Sequence, residues 1–427
     1  MRRILPLLFV NLACGEAPLC GGAECRIYGP PDGNILEPDG GLASDSGLDA
    51  GLRVDSGTTP DVGSPPPAEL DLNDVSFLIP LADPAALWAV DTVVDGRRLI
   101  EESWATNTFP PFEDLNGGVP AREERIHHFQ IVGVRVDHCF PGQAPLPSCR
   151  RQIRLVAQPI QVFVGVPLAH DSAAHLLYDL DDTAWSELQV GLRELRALAN
   201  GRTRGQPLTV HPVLATEGLN GPYGQRLFRL VRRLAHSDAL SQVATMNGNG
   251  AAWSFEATDR VGGLAVHNPI PRLGSEVVQR STQPTIGTGL EGYDVDPAPT
   301  GDDALAYFYR GAAFLEDPAA RVVERFQAAQ ALLDPAQSSP ATHDCVSCHV
   351  AHFALHQAAR RRADVLSALP PAFTAPGFDL RRLDPNLERA ESFRAFGYFG
   401  SDPAITARVS AESAVVALAL AESDGRR

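Results

Sequence analysis

The chain has 427 residues, 44% hydrophobic and 21% charged, which is enough apolar material for two or more ordinary domains with a sizeable core. Its formal net charge is −16, and every one of the 36 basic residues is an arginine. Between positions 29 and 74, ten acidic residues face Arg53 alone, so nine of the sixteen net charges lie in that segment; the remainder is mildly acidic, which disfavours a nucleic-acid partner.

The N-terminus reads MRRILPLLFVNLAC. Arg2 and Arg3 form a positive start and Ile4 to Val10 a short apolar run, the pattern of a signal peptide over 1–13 rather than of a transmembrane helix. No later stretch approaches the ~20 apolar residues that a spanning helix needs. Leu12-Ala13-Cys14 resembles the end of a bacterial lipobox, with Asn11 where leucine is usual. That resemblance implies cleavage before Cys14, lipid on Cys14, and anchoring in the bacterial cell envelope, at the outer membrane or facing the periplasm. A plain secretory signal with a chance cysteine is the alternative.

From Cys14 to residue 70 the chain is rich in Gly, Asp, Ser and Pro, as in GGLASDSGLDAGLRVDSGTTPDVGSPPPAEL. Such a segment buries too little apolar surface to offset its ordering entropy, and it predicts an acidic tether. Residues 71–270 mix strand and helix patterns and predict an α+β body. Val- and Ile-rich runs flank a Pro/Gly loop in VRVDHCFPGQAPLPSCRRQIRLV, which reads as two strands and a turn. An exported chain meets an oxidising compartment, so a Cys139–Cys149 disulfide is expected there, contributing roughly 2–3 kcal/mol. Two free cysteines are the alternative at that loop, and Cys20–Cys25 is a weaker pair.

Further along, DDTAWSELQVGLRELRALA carries its apolar residues on one face and stops at Asn200-Gly201, a good helix end. YGQRLFRLVRRLAH predicts a second, arginine-rich helix. In LSQVATMNGNGAAWSFEATD, Asn-Gly-Asn-Gly between two apolar runs signals a hairpin. It places Met246 at the turn end, near Trp253 and Phe255. Residues 271–302, rich in Pro, Gly and Thr, are expected as a connecting loop. Residues 303–427 predict a helix-rich part, ending in the amphipathic DPAITARVSAESAVVALALAES with Pro403 near its start.

Within that part, HDCVSCHVAHFALH spans 343–356 and holds two cysteines and four histidines. Cys345 and Cys348 have the separation at which two thiols add to the two vinyl groups of haem, and His349 follows at once. CVSCH resembles the attachment site of c-type cytochromes. The resemblance implies one haem c, thioether links at Cys345 and Cys348, and His349 as proximal ligand of the iron. Zinc on Cys345, Cys348 and His352 or His349 is an alternative, although structural zinc normally takes four ligands. A plain Cys345–Cys348 disulfide and an oxidoreductase Cys-Val-Ser-Cys motif are others.

His349, His352 and His356 share one helix face, so the later two cannot reach the far side of the same iron. The only methionines are Met1 and Met246. Met246 is therefore the candidate distal methionine, against an ordinary core role, an upstream histidine (His343, His267, His236 or His211), or an open site. His170 and His175 are five apart, too far round a helix to act together, and are assigned ordinary polar roles. Hydrolase and nucleotide signatures are missing. These readings point to an exported, membrane-anchored, single-haem c-type cytochrome-like protein, an electron carrier with an unidentified redox protein as partner; a haem-dependent redox enzyme, as in peroxide reduction, is a more distant alternative. A non-redox envelope lipoprotein with a binding or structural role is the alternative.

Overall fold

The structure, a computed structural model, describes residues 70–93, 118–138, 150–248, 252–282, 294–299, 304–309, 313–335, 337–340, 342–366 and 394–424, all within one compact unit, Ser64–Arg427. The expected signal, Cys14, the pair Cys20–Cys25, the tether up to residue 69 and the pair Cys139–Cys149 lie outside the described residues. Helices and an antiparallel sheet are both present, so the fold is α+β.

Among the described residues, a ten-stranded sheet runs in the order β1 (Ser76–Leu78), β3 (Gln130–Asp137), β4 (Gln152–Gln158), β7 (Ala173–Asp179), β8 (Leu240–Gly248), β9 (Ala252–Val261), β11 (Val278–Thr282) and β12 (Asp294–Asp296). β2 (Trp88–Ala89) pairs with β3, and β10 (Leu264–His267) with β9. β5 (Ile160–Phe163) and β6 (Val166–Ala169) form a separate hairpin, as do β13 (Phe396–Phe399) and β14 (Asp402–Ile405). Strands β3 and β4 are the Val/Ile runs on either side of the Pro/Gly loop, and β8 and β9 those on either side of Asn-Gly-Asn-Gly.

Two helices cover one sheet face, α1 (Asp182–Ala199) and α2 (Pro222–Leu234). The Asp181 carboxylate accepts the Ala184 N–H at 2.8 Å at the start of α1, and Asn200 ends it in the left-handed region at φ 50°, a conformation Asn tolerates. Leu155, Leu176, Tyr178 and Val243 of the sheet join Leu188, Leu192, Leu227 and Leu230 of the helices in one apolar core. The helices touch closely: a Cβ added at Gly191 would come within 2.6 Å of Leu230.

The opposite face carries α3 (Ala319–Gln330), α4 (Cys345–Arg361), α5 (Ala407–Asp424) and the β13–β14 hairpin. Charge ties α5 down. Glu412 accepts from Arg135 of β3 at 2.7 Å and from Arg408 at 2.8 Å, and Arg154 pairs with Asp137 at 2.7 Å. Gly133 of β3 leaves room for Phe396, whose ring would stand 2.6 Å from any Cβ there. Beside this polar zone a second apolar cluster joins Met246, Trp253 and Phe255 to Phe308, Phe314 and Phe326 and to Val346, Val350 and Leu355 of α4.

The stretch expected as a connecting loop supplies the last two strands of the sheet, β11 and β12. In β11 the side chains of Gln279 and Ser281 are buried while Arg280 is exposed, a period-two pattern that short polar strands conceal from hydrophobicity alone. Pro403 sits in β14, and α5 begins only at Ala407. An edge position suits a proline that cannot donate to a ladder. Among the described residues, no helix is long and apolar enough to cross a membrane.

Candidate functional site

Helix α4 begins where it does because its first free N–H groups find buried acceptors. The Asp344 carboxylate accepts the Ser347 N–H at 3.0 Å, the N-cap arrangement. The Gln279 side chain, from β11, accepts the Val346 N–H at 2.9 Å and donates its amide to Asp344 at 2.9 Å. Both Asp344 and Gln279 are wholly buried. The sheet therefore fixes the position and direction of the first turn, which carries Cys345 and Cys348.

Cys345 and Cys348 are free thiols, each half-buried. Their i, i+3 spacing, with His349 at i+4 from Cys345, gathers all three on one side of α4. Burial pushes the Cys345 thiol up to about 12, reinforced by Cys348 and the Asp344 carboxylate. Burial also raises Cys348, to about 11, opposed by Arg408 and helped by Asp344 and Glu412. Thiols held protonated are poor thiolate nucleophiles and poor metal ligands.

The His349 ring lies against Phe255, with centroids 4.9 Å apart and planes 47° apart. Phe255 stands directly opposite Met246 in the β8–β9 ladder and opposite Gln279 in the β9–β11 ladder, so all three share the face beneath α4. Across β7 and β8, Ala173 pairs with Met246 and His175 with Ala244. Met246 and His175 are thus diagonal neighbours on that face, a separation typically about 7–8 Å. Burial holds the His175 imidazole well below its ordinary pKa, and positive charge on Arg154, His349, Arg135 and Arg394 pushes it in the same direction. The two imidazoles are close enough to feel each other's charge.

Cys345, Cys348, His349 and His175 all retain accessible surface, yet burial dominates the titration of the two thiols and of His175. Cys345, Cys348 and His349 stand on α4, and His175 stands on the sheet face that α4 covers. Near it, buried Arg394 donates to Asp171 at 3.0 Å, and Asp171 also accepts the Trp253 indole N–H at 2.6 Å. Met246 is only 4% exposed, enclosed in the apolar cluster.

The remaining histidines separate by position. His352 is buried, and its Nδ1 accepts the Ala407 N–H at 3.0 Å, holding the start of α5. The His356 side chain lies outside the described residues. His211 caps the short helix Pro212–Glu217 through the Leu214 N–H and meets the Tyr223 hydroxyl at 3.1 Å, so it is committed elsewhere. His267 pairs with Thr258 and approaches Glu256 at 3.9 Å, on the face turned away from α4. His236 is exposed just beyond α2, and His343, one residue before Asp344, meets the Thr342 hydroxyl at 3.0 Å.

Among the described residues, no three His, Cys, Asp or Glu side chains converge as a metal-binding cluster. Three residues of the site escaped the sequence reading: Gln279, His175 and Arg394. Strand alternation alone puts Ala173 and His175 on one face, but only the β7–β8 register brings that face under Met246 and the motif. No protein-family model, characterised protein or solved structure matches the chain.

Proposed function

We propose that this chain is a single-haem c-type cytochrome-like protein of the bacterial envelope, exported by its N-terminal segment, anchored through lipid on Cys14, and passing single electrons to and from a redox protein. The observation that carries the reading is the first turn of α4: two free thiols and an imidazole, gathered on one side and each partly accessible. This donor set fits a haem held by two thioether bonds and one proximal nitrogen. Cys345 and Cys348 would hold the group covalently, and His349 would bind its iron. When bound, the haem supplies a one-electron couple.

The rest of the site serves that couple. Asp344 and Gln279 fix the turn so that thiols and imidazole keep one geometry. Phe255 packs on the His349 ring, and with Trp253 and Met246 it keeps the surroundings of that ring apolar. A dry, rigid surrounding limits reorganisation as charge changes and raises the influence of each nearby charge. Met246 and His175, from the same strand pair, are the side chains placed to approach from the sheet.

Haem staining after denaturing electrophoresis of protein made with a cytochrome c maturation system tests the reading. The wild type is expected to stain, with loss in the Cys345→Ala, Cys348→Ala double variant. An unstained wild type with a Cys345–Cys348 bridge, shown by thiol alkylation before and after reduction, would replace it with the non-redox lipoprotein reading.

A further inference from the structure

We infer that His175 is the second ligand of the haem iron, supplied by the sheet while His349 is supplied by α4. The assignment rests on the single-haem reading above and names a ligand the sequence had set aside.

Three placements carry it. First, register: the pairs His175–Ala244, Ala173–Met246 and Met246–Phe255 put His175 on the face that α4 covers, two strands from the aromatic ring on which His349 packs. Second, access: His175 keeps accessible surface, whereas Met246 is enclosed by Trp253, Phe255 and the phenylalanines of the apolar cluster. A methionine so enclosed behaves as a core filler. Third, exclusion: His211, His236 and His267 are committed or placed elsewhere. The proximal helix cannot supply its own far-side ligand, and on the described sheet face beneath α4 the accessible imidazole is His175.

Chemically, the assignment makes the centre bis-histidine. A second imidazole lowers the potential relative to a thioether ligand, which places the protein among low-potential carriers. Both nitrogens then come from side chains more than 170 residues apart in the sequence. The centre therefore exists only when β7 and α4 are in register.

The test uses the full chain matured with haem, comparing wild type, His175→Ala, His175→Met and Met246→Leu by absorption, electron paramagnetic resonance and redox titration. The wild type is expected to be low-spin, and Met246→Leu to match it in spectrum and potential. His175→Ala is expected to become high-spin, with added imidazole restoring the low-spin spectrum. His175→Met, which keeps a ligand in place should the alanine variant fail to accumulate, is expected to raise the midpoint potential.

A low-spin His175→Ala with unchanged potential overturns the assignment, as does a high-spin wild type, a His175→Met with unaltered potential, or a high-spin Met246→Leu. In each of those cases the covalent haem stain remains positive, and the single-haem reading stands. A wild type that takes no haem removes both.

Discussion

Beneath α1 and α2 the sheet presents Leu155, Leu176, Tyr178 and Val243; beneath α4 and α5 its other face presents Arg135, Arg154, His175 and Gln279. The first face needs only volume and shape, because apolar side chains gain stability from any close packing. The second must satisfy each buried polar atom individually, because an unpaired one costs more than the pair gains. Stability on one face is spread over many contacts. On the other it is concentrated in a few, and those few also place the candidate site.

Breaking one charged contact is expected to have the largest effect. Glu412→Ala leaves Arg135 and Arg408 buried without their carboxylate, a loss of about 3–5 kcal/mol read as a lower urea midpoint. The same carboxylate sets an acid limit. Attraction from Arg408, Arg135 and Arg154 overcomes burial and holds Glu412 down at about 2 instead of 4.5. A depressed carboxylate stabilises fully above its ordinary value and loses that contribution as pH falls toward the folded one. Urea midpoints should therefore drop between about pH 5 and about pH 2, and the Glu412→Gln variant should lack that part of the drop.

The apolar face should respond to volume instead. Leu192→Ala, in the α1 core, is expected to cost about 3 kcal/mol, while Leu192→Met costs under about 1.5 kcal/mol; equal losses would show that this face is as specific as the other. Gln279→Ala leaves the Val346 N–H and the Asp344 carboxylate each short of a partner, about 1–3 kcal/mol, and it should also loosen the motif turn, seen as faster exchange of the Val346 amide. The smallest effect belongs to the exposed tip of β5, where Phe163 is 64% accessible: Phe163→Ser should change stability by no more than about 0.5 kcal/mol.

What the residues disclosed in advance was local. Asn200-Gly201 marked the end of α1, Asn-Gly-Asn-Gly announced the β8–β9 hairpin, and Cys345, Cys348 and His349 stood out by spacing alone. What they concealed was long-range. His175 was judged by helical spacing, whereas in a strand its partners depend on pairing with β8, and no residue near it announces that pairing. Gln279 lay in a stretch read as loop because its neighbours are polar and small. Its amide is informative only once Asp344, 65 residues later, is seen beside it.

The Gln279 clamp also orders events in time. The chain emerges from its N-terminus, and parts formed early fold first. When Asp344 appears, β7, β8, β9 and β11 have already been made, so the acceptor that receives the Val346 N–H is waiting. The thiols can be handled freely only while that dock is vacant. Once the turn seats, they are half-buried and burial favours their protonated form. Any chemistry at Cys345 and Cys348 thus competes with closure of the fold, and weakening the clamp should lengthen the interval in which it can occur.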